Sequence, residues 1–150
     1  MILIKLKSTL SLKMPKKLSI ICLDVGEKRI GVAAGDSMIR IAVPLETIEV
    51  NGDEISVIKR IIDDEYADIL VVGYPRNQSG VATAQTKFVE DFVDRLSDEI
   101  EIKVVFQDES LTSVMAEQRL ISFKKPYKKS DIDAQAASII LQDYIEANCA

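Results

Sequence analysis

The stretch LSIICLDVGEKRIGVAA (residues 18–34) decides the fold of this 150-residue chain. Its first seven residues form a near-continuous apolar run, which is typical of a central strand covered on both faces. Gly26 marks a turn, and residues 29–34 predict a second strand, so the domain opens with an antiparallel hairpin. The first strand ends in an acid, Asp24, where the apolar pattern would favour a hydrophobic residue.

The rest of the chain alternates between strand and helix patterns. Residues 39–48 predict a third strand, and the spacing of Ile55, Ile58, Ile61 and Ile62 predicts a helix that begins near Asp53. The remaining segments are a strand over 68–73, a helix over 82–96, a strand over 102–106 and two closing helices over 112–121 and 130–147. This order predicts an α/β fold with a mixed five-stranded sheet, three antiparallel strands followed by parallel strands, and helices on both faces.

The length corresponds to a single domain, which we place at residues 14–150. Residues 1–13 are apolar but interrupted by Lys5, Lys7 and Lys13. They therefore lack the continuous apolar region of a secretory signal, and they are too short to span a bilayer. We expect them to be an N-terminal extension outside the fold.

The composition excludes several classes of chemistry. The chain has no histidine, so a Ser-His-Asp relay, a Cys-His relay and an imidazole metal ligand are all excluded. Its two cysteines, Cys22 and Cys149, form no CxxC pair, which argues against a disulfide framework, a zinc site and an activated thiol. A reducing cytoplasm fits this cysteine usage best, and nothing in the pattern indicates a membrane.

The charge is unevenly distributed along the chain, although the net charge is only -5. Residues 1–23 hold five lysines and no acid, and residues 119–129 hold five bases and no acid. Such basic patches on an acidic body can bind nucleic acid, and the alternative is that these lysine runs are solvated loops.

Three acids lie where an apolar residue or a simple turn would be expected. Asp24 and Glu109 end apolar strands, and Asp133 falls on the apolar stripe of the last helix. The alternatives are a turn for Asp24, a helix-dipole acid for Glu109, and a capping box with Ser130 as N-cap for Asp133. If strands one and five lie side by side and the last helix crosses them, the three carboxylates converge with no cation adjacent in sequence to neutralise them.

Converging carboxylates repel one another unless a cation neutralises them. Oxygen ligands select hard divalent ions, so we expect Mg²⁺ or Mn²⁺. Two such ions about 3.5–4 Å apart can bind both the attacking water and the leaving oxygen of a phosphodiester. This chemistry requires no histidine and agrees with the composition.

Five segments in order resemble the motifs of the YqgF/RuvX family, and the resemblance extends over about residues 18–146. The segments are LDVGEKRIGVAAGD (23–36), AVPLETI (42–48), VVGYPRNQSG (71–80), QDESLTS (107–113) and KKSDIDAQAASIILQDYI (128–145). The resemblance implies an RNase H-like fold and a bacterial nuclease that helps to mature the 5′ end of 16S ribosomal RNA. The family is also related to Holliday-junction resolvases.

The resemblance also implies roles for particular residues. Asp24, Glu109 and Asp133 would be the catalytic and metal-binding acids, with Asp108, Gly26, Gly31 and Thr112 as auxiliary residues. Substrate-binding candidates are Lys28, Arg29, Arg76, Lys124, Lys125, Lys128 and Lys129. The chain departs from the family at Ser110, where arginine is usual.

The resulting interpretation is a metal-dependent endonuclease that acts on precursor 16S ribosomal RNA, alone or on the ribosomal subunit, as a monomer or weak dimer. The alternatives are a resolvase of branched DNA, because the same site hydrolyses either backbone, and a non-catalytic RNA-binding assembly factor. An actin-like ATPase would need a second copy of the phosphate-gripping hairpin, and the chain has none.

Overall fold

The computed structural model describes residues 16–75, 83–109 and 112–149. The strands are β1 (Ser19–Val25), β2 (Arg29–Asp36), β3 (Val43–Glu49), β4 (Ile69–Pro75) and β5 (Lys103–Glu109). The helices are α1 (Glu54–Asp64), α2 (Ala84–Ser97), α3 (Thr112–Ser122) and α4 (Lys129–Asn148). Residues 1–13, which we predicted to lie outside the fold, are outside the described residues.

The five strands form one mixed sheet in the order β3-β2-β1-β4-β5. β1 pairs antiparallel with β2, and β2 pairs antiparallel with β3. β4 runs parallel to both of its neighbours, β1 and β5. The predicted mixed sheet is therefore confirmed, with the apolar strand β1 at its centre.

Both faces of β1 are buried, as its continuous apolar pattern predicts. Ile21 and Leu23 pack with residues of α1 and α2 on one face. Ile20 and Cys22 pack with residues of α4 on the other. Helix α3 packs on α4 through Ala116. Among the described residues, no helix is long and apolar enough to cross a membrane.

Two elements differ from the sequence prediction in ways that affect the site. β3 begins at Val43 rather than at residue 39, because the Asp36 carboxylate accepts backbone N–H groups of Met38 and Ile39 and holds a turn there. β5 continues to Glu109, three residues beyond its predicted end.

The expectation that strands one and five lie side by side is wrong, because β4 lies between them. The side chains of Asp24 and Glu109 can therefore come near each other only across the face of β4.

Candidate active site

Asp24 lies near the C-terminal end of β1, opposite Gly31 of β2. The alternation of side chains along a strand places it on the same face as Ile20 and Cys22, which α4 covers. Burial raises the pKa of the Cys22 thiol, and the negative charges of Asp24 and Glu109 raise it further. Asp24 and Glu109 thus act on the same buried thiol beneath α4.

Asp133 reaches the same face because α4 crosses β2 at very short range. A Cβ atom on Gly31 would lie 1.9 Å from the backbone oxygen of Asp133, so only glycine permits this crossing. The Thr47 hydroxyl of β3 donates a hydrogen bond to the backbone oxygen of Ser130 at 2.5 Å and fixes the start of the helix. These contacts hold the first turns of α4 over the hairpin.

Glu109 is the last residue of β5, and its carboxylate accepts a hydrogen bond from the Thr112 hydroxyl at 3.3 Å. Gly73 of β4 provides the space for it. A Cβ atom at that position would lie 3.0 Å from Glu109 Oε2 and 2.9 Å from Ile140 Cδ1. A glycine inside an apolar strand often marks such a close approach, and this signal in the sequence could have identified Gly73 as part of the site.

The three acids influence one another electrostatically. Burial, followed by the negative charges of Glu109 and Asp133, raises the pKa of Asp24 from 3.8 to about 8. Burial also raises the pKa of Glu109, and the hydrogen bond from Thr112 opposes that shift. Glu109 and Asp133 therefore lie within electrostatic range of Asp24, even though β4 separates two of the strands that bear these acids.

Arg29 of β2, a substrate-binding candidate from the sequence, joins this group through an ion pair with Asp133 that the sequence did not predict. Its Nε lies 2.6 Å from Asp133 Oδ2, and both side chains are partly buried. Among the described residues, no three cysteine, aspartate or glutamate side chains are arranged to hold one metal ion, and Asp133 faces Arg29 instead. The cation that neutralises Asp133 therefore comes from a residue 104 positions away in the chain.

The capping alternative for Asp133 is also wrong. Helix α4 begins at Lys129, one residue before the expected N-cap Ser130. The acid that caps it is Asp131, whose Oδ2 accepts the backbone N–H of Lys128 at 2.8 Å. The carboxylate of Asp133 is thereby left available for the site.

The auxiliary candidates divide between the two faces of the sheet. Asp108 pairs with Tyr74 in the β4–β5 ladder, and alternation turns it to the face opposite Glu109. Gly26 forms the tight turn between β1 and β2, where its N–H donates to the backbone oxygen of Arg29 at 3.0 Å. Thr112 is buried against Glu109.

The basic candidates lie on the surface around the hairpin and at the start of α4. Lys28 is exposed in the turn between β1 and β2. Lys124, Lys125, Lys128 and Lys129 are exposed in and after the loop that leads into α4. The eleven residues of α3 span about 16 Å, so this loop lies near Asp133 and about one helix length away from Glu109. Arg76 and Ser110 fall outside the described residues.

Comparison with known proteins gives close relatives in sequence. Residues 18–147 match the model of the RuvX family, described as Holliday junction resolvase. A protein of Chloroflexus aurantiacus named "Putative pre-16S rRNA nuclease" is 46% identical over 132 residues, covering 85% of this chain and 86% of its own length. A Synechocystis protein of the same name is 38% identical over 137 residues, covering 89% of this chain and 90% of its own.

Solved structures give more distant relatives in fold. The chain is similar to Thermus thermophilus RuvC in complex with Holliday junction substrate, with a TM-score of 0.53 and 13% identity over 87% of this chain and 95% of that one. It is also similar to the fowlpox virus Holliday junction resolvase, with a TM-score of 0.52 and 16% identity over 87% of this chain and 99% of that one. These likenesses confirm the RNase H-like fold.

Proposed function

Because this chain belongs to the RuvX family, we propose that it is a metal-dependent endonuclease that hydrolyses phosphodiester bonds in precursor 16S ribosomal RNA in the cytoplasm. The observation that carries the proposal is that Asp24 and Glu109 lie beneath α4 and Asp133 lies in its first turns. There, burial and the charges of Glu109 and Asp133 raise the pKa of Asp24. RNA is supported as the substrate by two proteins that are named as pre-16S rRNA nucleases and are 46% and 38% identical to this chain. Maturation of the 5′ end is part of this proposal.

The donor set fits a divalent cation. Carboxylate oxygens are the ligands that Mg²⁺ and Mn²⁺ prefer. Without a cation, burial and then the charges of Glu109 and Asp133 raise the pKa of Asp24 to about 8 and keep it mostly protonated near neutral pH. A bound cation would favour its charged form. Asp24, Glu109 and Asp133 would hold the metal, and the metal would activate water and stabilise the leaving oxygen.

The other side chains of the site orient and neutralise these acids. The Thr112 hydroxyl fixes the carboxylate of Glu109 at the end of β5. Arg29 neutralises Asp133 before substrate arrives, and its guanidinium has further donors that suit a phosphate oxygen. Lys28 and the lysines before and at the start of α4 would guide the phosphate backbone towards the acids.

A second candidate function is cleavage of a four-way DNA junction. The description of the matching family model favours it, because that description is Holliday junction resolvase. The same carboxylate chemistry hydrolyses RNA and DNA backbones, so the geometry of the acids does not distinguish the two. The two functions are distinguished by which substrate the protein cleaves.

The test is a cleavage assay with two substrates and three metal conditions. A precursor fragment that carries the 16S 5′ leader and a four-way DNA junction are each incubated with Mg²⁺, with Mn²⁺ and with chelator. We expect endonucleolytic cuts in the RNA that require metal and disappear in the Asp24→Asn variant. Cleavage of the junction alone would overturn the RNA proposal, and RNA cleavage in chelator or by Asp24→Asn would overturn the metal site.

A further inference from the structure

A groove of about 710 Å³ lies at the end of β1 opposite Asp24. It is lined by the start of β1, the end of β2, the start of β3 and the C-terminal end of α1, including Ser19, Asp36, Val43 and Glu65. The groove is therefore separate from the acids of the candidate active site. The nuclease reaction proposed above has no use for it.

The rim of this groove exposes large apolar side chains. Ile39, Ile41 and Tyr66 are 68%, 61% and 85% exposed, respectively. Contiguous apolar exposure of this kind marks a surface that another segment or molecule covers.

Tyr66 is held on the rim by an unfavourable backbone conformation. Its φ of 50° lies in the left-handed region, at the helix C-terminal position where glycine or asparagine is usual. The side chain contributes nothing to the core, because it is 85% exposed. A contact in the groove would explain why a tyrosine occupies this position.

The same rim is negatively charged. Helix α1 ends in Asp63, Asp64 and Glu65, with no basic residue in its last turn, although a helix C-terminus favours positive charge. None of these three carboxylates forms an ion pair with a residue that the structure describes. The lysine of the groove, Lys17, lies 4.0 Å from the carboxylate of Asp36.

We propose that residues 1–13 of the same chain cover this groove. Their seven apolar residues would pack against Ile39, Ile41 and Tyr66, and Lys5, Lys7 and Lys13 would face the acids at the end of α1. Lys17 already lines the groove, so this segment joins the domain at the rim. Thirteen residues reach about 40 Å when extended, which is ample to cross it.

The family match begins at residue 18, so this contact would be an addition of this chain to the shared nuclease domain. Residues 1–13 would then lie outside the nuclease fold, as the sequence predicts, while closing its far end.

A photo-crosslink in the full-length chain tests the proposal. The aromatic photo-crosslinker p-benzoylphenylalanine replaces Tyr66 in one variant and Phe123 in the control, because Phe123 is also an exposed aromatic, at 52%, and lies beyond α3. After irradiation of an equal mixture of ¹⁴N- and ¹⁵N-labelled chains, crosslinked peptides are identified by mass spectrometry. We expect position 66 to crosslink to residues 1–13 of the same isotope, and position 123 not to do so.

Three results would overturn the proposal: no crosslink from position 66 to residues 1–13, an equal yield from position 123, or crosslinks that join ¹⁴N to ¹⁵N peptides. The last result would assign the groove to a second copy. In a second variant, Lys5, Lys7 and Lys13 are all replaced by glutamate. We expect its crosslink yield from position 66 to fall several-fold, and an unchanged yield would exclude the charge complementarity. Cleavage activity should be the same in every variant, so a failure here leaves the nuclease proposal untouched.

Discussion

Arg29 Nε donates a charge-assisted hydrogen bond to Asp133 Oδ2 at 2.6 Å, joining the second strand of the sheet to its last helix across the candidate site. The two residues are 104 positions apart in the chain. The guanidinium supplies the positive charge that a bound cation would otherwise supply to this carboxylate. A divalent metal bound by the acids as proposed would therefore compete with Arg29 for Asp133, and the competition can be measured.

Arg29→Gln should raise the affinity of the acids for Mn²⁺ and weaken cleavage. The substitution removes a positive charge beside a ligand but keeps a polar side chain, so metal binding should tighten several-fold while the substrate phosphate loses a contact. Isothermal titration with Mn²⁺ and a cleavage assay check the two effects. Arg60→Gln is the control, because Arg60 pairs with Glu46 at 3.9 Å on an exposed surface. Weaker Mn²⁺ binding by Arg29→Gln would contradict the competition.

Asp24→Asn should abolish cleavage and change how the stability of the metal-free protein depends on pH. The folded state raises the pKa of Asp24 to about 8, so between about pH 4 and pH 8 the folded protein binds more protons than the unfolded chain. The free energy of unfolding therefore falls as pH rises through this window.

The substitution removes that fall, because asparagine does not titrate. Urea unfolding is measured in chelator at pH 5.5 and at pH 8.5. Between these pH values, the free energy of unfolding should fall by at least about 1.4 kcal/mol more in the original chain than in Asp24→Asn, which is the equivalent of one pKa unit. Asp94→Asn, on the exposed side of α2, serves as the control. If the free energy of unfolding of Asp24→Asn falls as much between pH 5.5 and pH 8.5 as that of the original chain, the charge of Asp24 does not cause the fall.

Asp131→Ala and Asp133→Asn should have opposite effects, although the two residues lie two positions apart on one helix. Asp131 caps α4, so its loss should lower stability by about 1 kcal/mol and leave cleavage nearly intact. Asp133→Asn should abolish cleavage with a small change in stability, because its pair with Arg29 is partly exposed to solvent. Unfolding and cleavage are measured on both. The reverse pattern would make Asp133 a structural residue.

Gly31→Ala should lower both stability and cleavage, because the added methyl group would lie 1.9 Å from the backbone oxygen of Asp133. Helix α4 would have to move away from β2 and carry Asp133 with it, and overpacking of this kind costs about 1–3 kcal/mol. The control is Gly35→Ala, whose methyl group would meet the side chain of Ile145 at 3.1 Å, which can shift. Equal losses in the two variants would show that the crossing of α4 is not critical.

The sequence predicts the local features of this site well and its assembly poorly. Asp24 ends a strand whose apolar pattern is continuous, and Asp133 lies on an apolar helical stripe, so periodicity identifies both. The order of strands cannot be read from periodicity, and this is why β4 was not expected between β1 and β5. The ion pair of Arg29 was missed for a similar reason, because it depends on how β2 lies against α4.

The position of the helix start illustrates the same limit on a smaller scale. An error of two residues, Ser130 for the N-cap Lys128, moved the expected capping acid from Asp131 to Asp133. Helix ends are set by local competition between backbone and side-chain hydrogen bonds, which the apolar pattern does not report. The pairwise comparison of Asp131 and Asp133 above addresses this point directly.

The lysines before and at the start of α4 should determine how substrate binding depends on salt. Lys124, Lys125, Lys128 and Lys129 are all exposed, and the helix that they precede carries Asp133. Each phosphate contact on a single strand contributes roughly 0.7 to the slope of log affinity against log salt concentration. Replacing all four by alanine should therefore weaken RNA binding and flatten the slope by about two, if roughly three of them contact phosphate.

The matched control removes the same charge from surfaces away from the site, by replacing Lys59, Arg60, Lys87 and Lys103 with alanine. Because both quadruple variants change the net charge equally, a difference between their salt slopes reports local contacts rather than the overall field. Binding is measured by fluorescence anisotropy with a labelled precursor fragment at several salt concentrations, in chelator so that no cleavage occurs. Equal slopes in the two variants would show that the loop is only a solvated connection. The path of the substrate would then have to run along Lys28 and Arg29 instead.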